Sequence, residues 1–355
     1  MKKKLFMAIT AATLAVSMLA GCSASDTKGS SGTEVSSESE ASALNEDEVK
    51  TIDSFTNVAD GIYSIDFYAD YKLDDYLASN ITTVEDFDVW MTTNLTHGIP
   101  TGDIPDIGCS SFSVMSTDGD HLFGRNYDLQ GGDNLVIRTA PKSGYASIGI
   151  VDLMHVNLGL NGEYEINDDN KPLLLAAPWC VCDGINEKGF GASILRLDDF
   201  HVVNDTSKDD LLLYSVIRVV LDKCASVDEA LDLLAQYDLY SPSPYTYHFF
   251  FTDKTGRSVV VEFSDGETKV VDDTAVTNYM LSSGKSDTDM RYTKIHNRID
   301  EVDSMTSDDA MGVLGVVSDG KYTRWSAVYN LDKYSLEVCF NTDYDNKYSF
   351  TGKIE

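Results

Sequence analysis

The sequence predicts an α+β protein in which antiparallel sheets pack together and the helices are segregated from the strands. Three observations carry this expectation. Short runs rich in β-branched and aromatic residues recur from Gly61 onward. Two pairs of such runs flank turn signals, Asp118-Gly119 and Lys254-Thr255-Gly256. A helical block near residues 209–237 separates strand-rich stretches, an order that suits segregated layers better than alternating β and α units.

Residues 1–21 read as a lipoprotein signal peptide. Lys2, Lys3 and Lys4 form a basic start, and the apolar run from Leu5 to Ala20 is too short and too rich in small residues for a stable membrane span. It ends in Leu19-Ala20-Gly21-Cys22, which is similar to the bacterial lipobox, so Cys22 is the expected site of diacylation and the first mature residue. An ordinary secretory signal followed by a chance cysteine is the competing reading. Residues 22–50 are rich in Ser, Glu, Asp, Gly and Thr and nearly empty of large apolar residues, which predicts a disordered tether.

About 300 residues remain, enough for one large domain or two small ones. A strand is expected from Gly61 to Tyr71, then helices over 72–79 and 83–96, the second opened by Thr83. The turn formers from Gly98 to Gly108 predict an exposed loop. Strands follow at 110–116 and 121–128, then at 135–140, 146–151, 179–183 and 191–195. Helices are expected over 209–223 and 226–237, the second with Ser226 and Glu229 in capping-box spacing. Hairpin strands at 247–252 and 258–263, a helix at 291–302 and closing strands at 325–330 and 335–341 complete the chain. Trp325 and the run His248-Phe249-Phe250-Phe251 read as core, Asn186-Glu187-Lys188 as a turn, and Glu262 as a structural strand end.

The net charge of −31 leaves nothing to neutralise phosphates, which excludes nucleic acid as a partner and disfavours polyanionic substrates. Beyond Cys22 the cysteines are Cys109, Cys180, Cys182, Cys224 and Cys339, an odd number for an exported chain, so at least one free thiol is expected. Cys180 and Cys182 lack a second pair at zinc spacing and read as strand residues.

Cys109 is the thiol whose neighbourhood suggests chemistry. If Asp118-Gly119 is a two-residue turn, Thr117 pairs with Asp120 and Cys109 stands opposite Asp128. Arg125 would then point to the other face unless a bulge at Gly124 turned it. A thiol beside an Arg and an Asp is a setting for an activated thiol, because the cation favours thiolate. A buried core cysteine, with Arg125 and Asp128 as a surface ion pair, fits the same spacing.

The segments Cys109-Ser-Ser-Phe112, Gly124-Arg-Asn-Tyr-Asp128 and Asp183-Gly-Ile-Asn-Glu-Lys-Gly-Phe-Gly191 resemble the choloylglycine hydrolase family of linear amide C–N hydrolases. The similarity extends to about Asn341 and takes in Ser258-Val-Val-Val-Glu262 and Thr277-Asn278. The resemblance implies the N-terminal-nucleophile fold, an αββα sandwich. The family includes bile salt hydrolases and penicillin V acylases, with acid ceramidase and the penicillin-forming acyltransferases as more distant relatives. By the same resemblance Cys109 is the expected nucleophile, Arg125 and Asp128 hold its thiol and amine, Asn278 lies on the oxyanion side, and Arg291 is a late active-site arginine. Arg196 stands where bile salt hydrolases carry an Asn, so another oxyanion donor is expected. Residues 51–108 resemble the small chain kept by ceramidase-like and acyltransferase-like members, and 109–355 the catalytic domain.

Such an enzyme cuts itself between Gly108 and Cys109 and uses the freed α-amine, with an ordinary pKa of about 7.7–8.0, as its general base. The expected partner is a small-molecule N-acyl amide, with membrane contact only through the lipid anchor. No cofactor and no metal are called for. A solute-binding lipoprotein and an acyltransferase using the same acyl-enzyme are the alternatives.

Overall fold

The computed structural model describes residues 43–101, 108–129, 131–158, 165–197, 206–241, 246–264, 266–284 and 289–354. The signal peptide, Cys22 and most of the tether lie outside the described residues, as do residues 102–107 of the loop before Gly108.

The chain opens with α1 (Glu46–Asp53), β1 (Thr56–Ala59), β2 (Ile62–Phe67), α2 (Leu73–Leu77) and α3 (Val84–Asn94). Then come β3 (Gly108–Met115), β4 (His121–Asp128), β5 (Asn134–Thr139), β6 (Ser147–Asp152), β7 (Asp183–Asn186) and β8 (Phe190–Leu197). The middle holds β9 (Asp209–Leu212), α4 (Val216–Lys223), α5 (Val227–Leu234), β10 (Tyr237–Tyr240), β11 (Thr246–Asp253), β12 (Ser258–Ser264), β13 (Glu267–Asp272) and β14 (Ala275–Thr277). The chain closes with α6 (Met290–Ile299), α7 (Ser307–Val316), β15 (Thr323–Asn330), β16 (Ser335–Phe340) and β17 (Lys347–Thr351).

A nine-stranded sheet runs β1-β2-β5-β6-β7-β8-β11-β12-β13, and a six-stranded sheet runs β14-β3-β4-β15-β16-β17. They meet face to face, with the Phe123 and Phe250 rings 5.9 Å apart and the Ser111 and Ser193 hydroxyls 2.9 Å apart. Helices α4 and α5 cover the outer face of the larger sheet, while α6 and α7 cover that of the smaller. This is the expected αββα layering. It explains why β11 is buried at every position, because both of its faces are covered. Phe250 points into the sandwich, while Phe249 and Phe251 stack together on the helix side. Burying each such ring stabilises the fold by about 1.5–3 kcal/mol.

Several expectations need correction. The tether was expected to reach residue 50, but α1 starts earlier, capped by the Asn45 side chain in a reciprocal box with Glu48. Residues 171–180 form a 3₁₀ stretch rather than leading into a strand at Trp179, because Pro172 and Pro178 cannot donate to a ladder. The helix expected from Asp209 begins only at Val216; β9 precedes it and pairs with β10. Nor are the sheets wholly antiparallel: β2 runs parallel to β5, and β9 parallel to β10. Strands built from hairpins, with helices outside, do not fit the alternating halves of a solute-binding protein.

The segment ahead of Gly108 is built into the domain. Strand β2 joins the large sheet at β5, and Tyr76, Phe87 and Trp90 surround Trp179. Three hydrogen bonds add to this packing: Trp179 Nε1 to Tyr71 O at 2.8 Å, Tyr76 Oη to Ser215 Oγ at 2.8 Å, and Tyr71 Oη to Asp222 Oδ2 at 2.6 Å.

Candidate active site

The β3–β4 turn decides what faces Cys109. Ser116 N–H donates to Asp120 O at 2.7 Å and Gly119 N–H to Ser116 O at 3.0 Å. The loop is therefore the three residues 117–119, with Gly119 in the left-handed region at φ 87°. Every pair shifts by one from the expected register: Cys109 stands opposite Tyr127, and Gly108 opposite Asp128. Since Arg125 is two residues from Tyr127, it shares the face of Cys109 without a bulge. Gly124 serves packing instead, for a Cβ there would lie 2.4 Å from the buried Phe112 ring. The bulge occurs in β15, between Thr323 and Trp325, and leaves Thr323 beside Asp128.

Cys109 and Arg125 are wholly buried. Arg125 Nη2 donates to Cys109 Sγ at 2.7 Å and to Ile194 O at 2.8 Å, while Nε donates to Asp183 Oδ2 at 3.3 Å. Asp183 also accepts from Trp325 Nε1 at 3.0 Å and Tyr329 Oη at 2.5 Å. Burying an ion pair adds little net stability, but these donors leave the guanidinium one position. Asp183 opens one of the segments that carry the family resemblance, but nothing in the sequence marks it as a partner of Arg125. Trp325 is core as expected, stacked on Tyr127 at 3.9 Å. Burial pushes the Cys109 thiol up to about 12, with Arg125 opposing the rise and Asp128 adding to it.

Strand β14 pairs with the edge of β3 and sets the next residue, Asn278, beside Cys109. Cys109 N–H donates to Asn278 Oδ1 at 2.6 Å, and Asn278 Nδ2 donates to Arg196 O at 2.9 Å. Arg291, in the first turn of α6, donates to Asn278 Oδ1 at 3.1 Å, Asp128 Oδ2 at 3.2 Å and Asp289 Oδ2 at 3.0 Å. Asp128 also accepts from Thr323 Oγ1 at 2.6 Å. Burial raises the Asp128 pKa, against the pull of Thr323 and Arg291.

Cys109, Arg125, Asp128, Asn278 and Arg291 lie together in the structure: Arg125 meets the Cys109 thiol and Asn278 its nitrogen, whereas the Asp128 carboxylate is bonded to Arg291 and Thr323. The orientation of Asn278 differs from the expected one: its oxygen faces the Cys109 nitrogen and its N–H group is bonded to Arg196 O. Arg196 enters through its backbone. Among the described residues no histidine hydrogen-bonds to Cys109; His155 bonds to the Tyr127 and Tyr214 hydroxyls, and His248 faces Glu262. No group of three or more His, Cys, Asp or Glu among the described residues is placed to hold a metal. Cys180 and Cys182 are buried and unpaired.

A family profile described as linear amide C–N hydrolases, choloylglycine hydrolase family, matches residues 109–310. The chain is 27% identical over 181 residues to a bile salt hydrolase/transferase of Clostridium perfringens (strain 13 / Type A), covering 46% of this chain and 50% of that protein. It thus spans about half the length of that curated relative. A mutant conjugated bile acid hydrolase from Clostridium perfringens has a similar structure, with a TM-score of 0.52 at 18% identity over 68% of this chain and 92% of the other. Penicillin V acylase from Agrobacterium tumefaciens gives 0.46 at 16% identity over 65% and 83%. At these identities the structural likeness speaks to fold, and the first match agrees with the αββα sandwich of N-terminal-nucleophile hydrolases. The profile begins on Cys109 and spans more than half of the sequence, so this chain belongs to the choloylglycine hydrolase family of linear amide C–N hydrolases.

Proposed function

We propose that this protein hydrolyses the C–N bond of a linear N-acyl amide, with Cys109 as the nucleophile once the Gly108–Cys109 bond is cut. One observation carries the proposal: the two reactive atoms of Cys109 are held separately, Sγ 2.7 Å from Arg125 Nη2 and N 2.6 Å from Asn278 Oδ1. While Gly108 is attached, that nitrogen is an amide and takes no proton. In the maturation step Cys109 Sγ attacks the Gly108 carbonyl, the C–N bond breaks, and the nitrogen leaves as an amine. Water then hydrolyses the thioester, leaving a Gly108 carboxylate.

The freed amine has an ordinary pKa of about 7.7–8.0 and can accept the thiol proton. Arg125 stabilises the thiolate. The thiolate attacks the substrate carbonyl, the ammonium protonates the departing amine, and water releases the acid from the thioester. With Asn278 Nδ2 bonded to Arg196 O, backbone N–H groups are the proposed oxyanion donors. Such a donor is typically worth about 100–1000-fold in rate.

The substrate is proposed as an N-acyl compound with an apolar acyl group: a bile-salt conjugate, penicillin V, an N-acyl amino acid or a fatty amide. Transfer of the acyl group to a second amine is the alternative outcome, suggested by the hydrolase/transferase name of the relative. Intact-mass detection of an acyl-enzyme across these four classes tests the proposal. Mass added on the peptide containing Cys109 supports it; hydrolysis by a Cys109→Ala variant at the wild-type rate refutes it.

The proposed location is outside the cytoplasm, with the chain anchored through lipid on Cys22. Support comes from Leu19-Ala20-Gly21-Cys22 at the end of the apolar run. Lipid-precursor labelling should be lost in Cys22→Ala, and equal labelling of both proteins would rule the anchor out.

A further inference from the structure

We infer that the buried Glu262–His248 pair sets Asn278 against Cys109, which makes Glu262 a positioning residue of this site. The inference rests on the reading of Cys109 as the nucleophile. Asn278 itself is bonded to Cys109 N, Arg196 O and Arg291, but the backbone that carries it has few ties of its own. Strand β14 is three residues long and lies at the edge of its sheet, and the chain leaves it into a short 3₁₀ turn, Leu281–Ser283. Local turn hydrogen bonds do not secure this segment to the rest of the domain.

Glu262 does. It lies on β12, in the opposite sheet, and is wholly buried. Its Oε1 accepts Leu281 N–H at 2.6 Å and its Oε2 accepts Ser282 N–H at 2.8 Å. A carboxylate on two successive backbone N–H groups is a charge-assisted grip that a neutral side chain does not reproduce. On the neighbouring strand Phe249 opposes Val261, which brings the buried His248 beside Glu262, with Nδ1 3.4 Å from Oε1. Burial alone raises the Glu262 pKa, but hydrogen bonds from His248 and Ser282 outweigh it and hold the group below its ordinary value. Burial lowers the His248 pKa against the pull of Glu262. Glu262 therefore presents its carboxylate, in the larger sheet, to the turn that continues from Asn278 in the smaller. Residues on two sheets are thereby fixed relative to each other at the Cys109 nitrogen.

The test uses the full chain and two variants that loosen the grip differently. Glu262→Gln turns one acceptor into a donor that faces Ser282 or Leu281 N–H. Leu281→Pro deletes the N–H itself at the first position of a 3₁₀ turn, where proline fits, so it keeps the proposal testable if Glu262→Gln does not fold. Each is made alone and in an Asn278→Ala background. The readouts are the iodoacetamide alkylation rate of Cys109 and hydrogen exchange of a peptide spanning residues 278–284.

Either variant should slow alkylation by about tenfold in the wild-type background and less than about twofold in Asn278→Ala, because a residue acting through Asn278 has nothing left to position. Exchange at 281 and 282 should quicken in both backgrounds. Equal slowing in the two backgrounds, or unchanged alkylation with quickened exchange, would overturn the inference. If wild-type Cys109 reacts no faster than Cys180, Cys182, Cys224 and Cys339, the nucleophile reading itself fails. Protection at 281 and 282 that survives Glu262→Gln instead denies the grip.

Discussion

Arg125 places one nitrogen, Nη2, within 2.7 Å of Cys109 Sγ and 2.8 Å of Ile194 O. One planar group thus bridges the strand bearing the thiol and β8 of the facing sheet. Its Nε is anchored on Asp183, so the thiol's electrostatic partner is fixed from behind by a second buried charge.

That anchoring makes Asp183 critical for stability. Asp183→Asn leaves the Arg125 charge buried without its counter-ion, and breaking such a pair typically costs about 3–5 kcal/mol. Urea unfolding should register a loss of that order. A loss below about 1 kcal/mol would mean that Asp183 does not hold the guanidinium.

The second prediction concerns thiol reactivity. In the cleaved protein, where the freed amine can take the thiol proton, Cys109 should alkylate faster than Cys180, Cys182, Cys224 and Cys339, whose pKa values burial raises. Arg125→Ala should slow Cys109 by removing the adjacent cation, and Asp128→Asn by releasing Arg291 from one of its partners. Peptide mapping after timed iodoacetamide exposure measures both, and a Cys109 rate indistinguishable from the other thiols contradicts the prediction.

Cleavage is the third. Purified protein should yield a large fragment beginning Cys-Ser-Ser-Phe, while Cys109→Ala should stay uncut and inactive. Denaturing electrophoresis with N-terminal sequencing decides it. Full activity in a single uncut chain would sink the mechanism, since the proposed base would not exist.

A fourth prediction is pH-dependent. His296 on α6 lies 3.0 Å from Asp273, just before β14, and 3.0 Å from Asp300. The bond to Asp273 raises the His296 pKa against the effect of burial, with Asp300 contributing in the same direction. A raised folded-state pKa means that His296 contributes stability fully below its unfolded value of about 6.5 and loses it as pH rises through the folded value. Bonds from His296, Tyr292 and Ala275 outweigh burial and lower the Asp273 pKa, so its contribution disappears only in acid. Replacing His296 with Gln should therefore cost most near about pH 5.5, on the order of 1 kcal/mol, and little at about pH 9. Thermal melts at both values test the sign, and a cost that grows with pH would contradict it.

How far the sequence reveals this site depends on the range of each interaction. Strands β3 and β4 are adjacent in the chain and joined by Asp118-Gly119, so the nearness of Cys109, Arg125 and Asp128 is a local inference. Register is not, because Asp-Gly suits both two- and three-residue loops, and one residue more reverses which side chains share a face. Asp183 touches Arg125 only when two sheets stack, and no local pattern marks that contact. Asn278 and Arg291 are legible only through the family resemblance, because β14 is too short to announce itself as a strand. Likewise, the parallel placement of β2 beside β5 leaves no trace in periodicity, since either direction buries the same residues.

The seating of β2 against β5, with Tyr71 on Asp222 and Tyr76 on Ser215, has a thermodynamic consequence if the bond before Cys109 is cut. A single chain would become two, and its folding equilibrium would change from unimolecular to bimolecular. Refolding of the cut protein would depend on protomer concentration, and dilution in denaturant would favour separation in a way that the uncut precursor does not share. Separated fragments would also lose the covalent connection between β2 and β5, so recovery would be slow and prone to exposed sheet edges. The cut protein would then persist through its barrier to unfolding rather than through a favourable equilibrium, and its useful lifetime would be a rate.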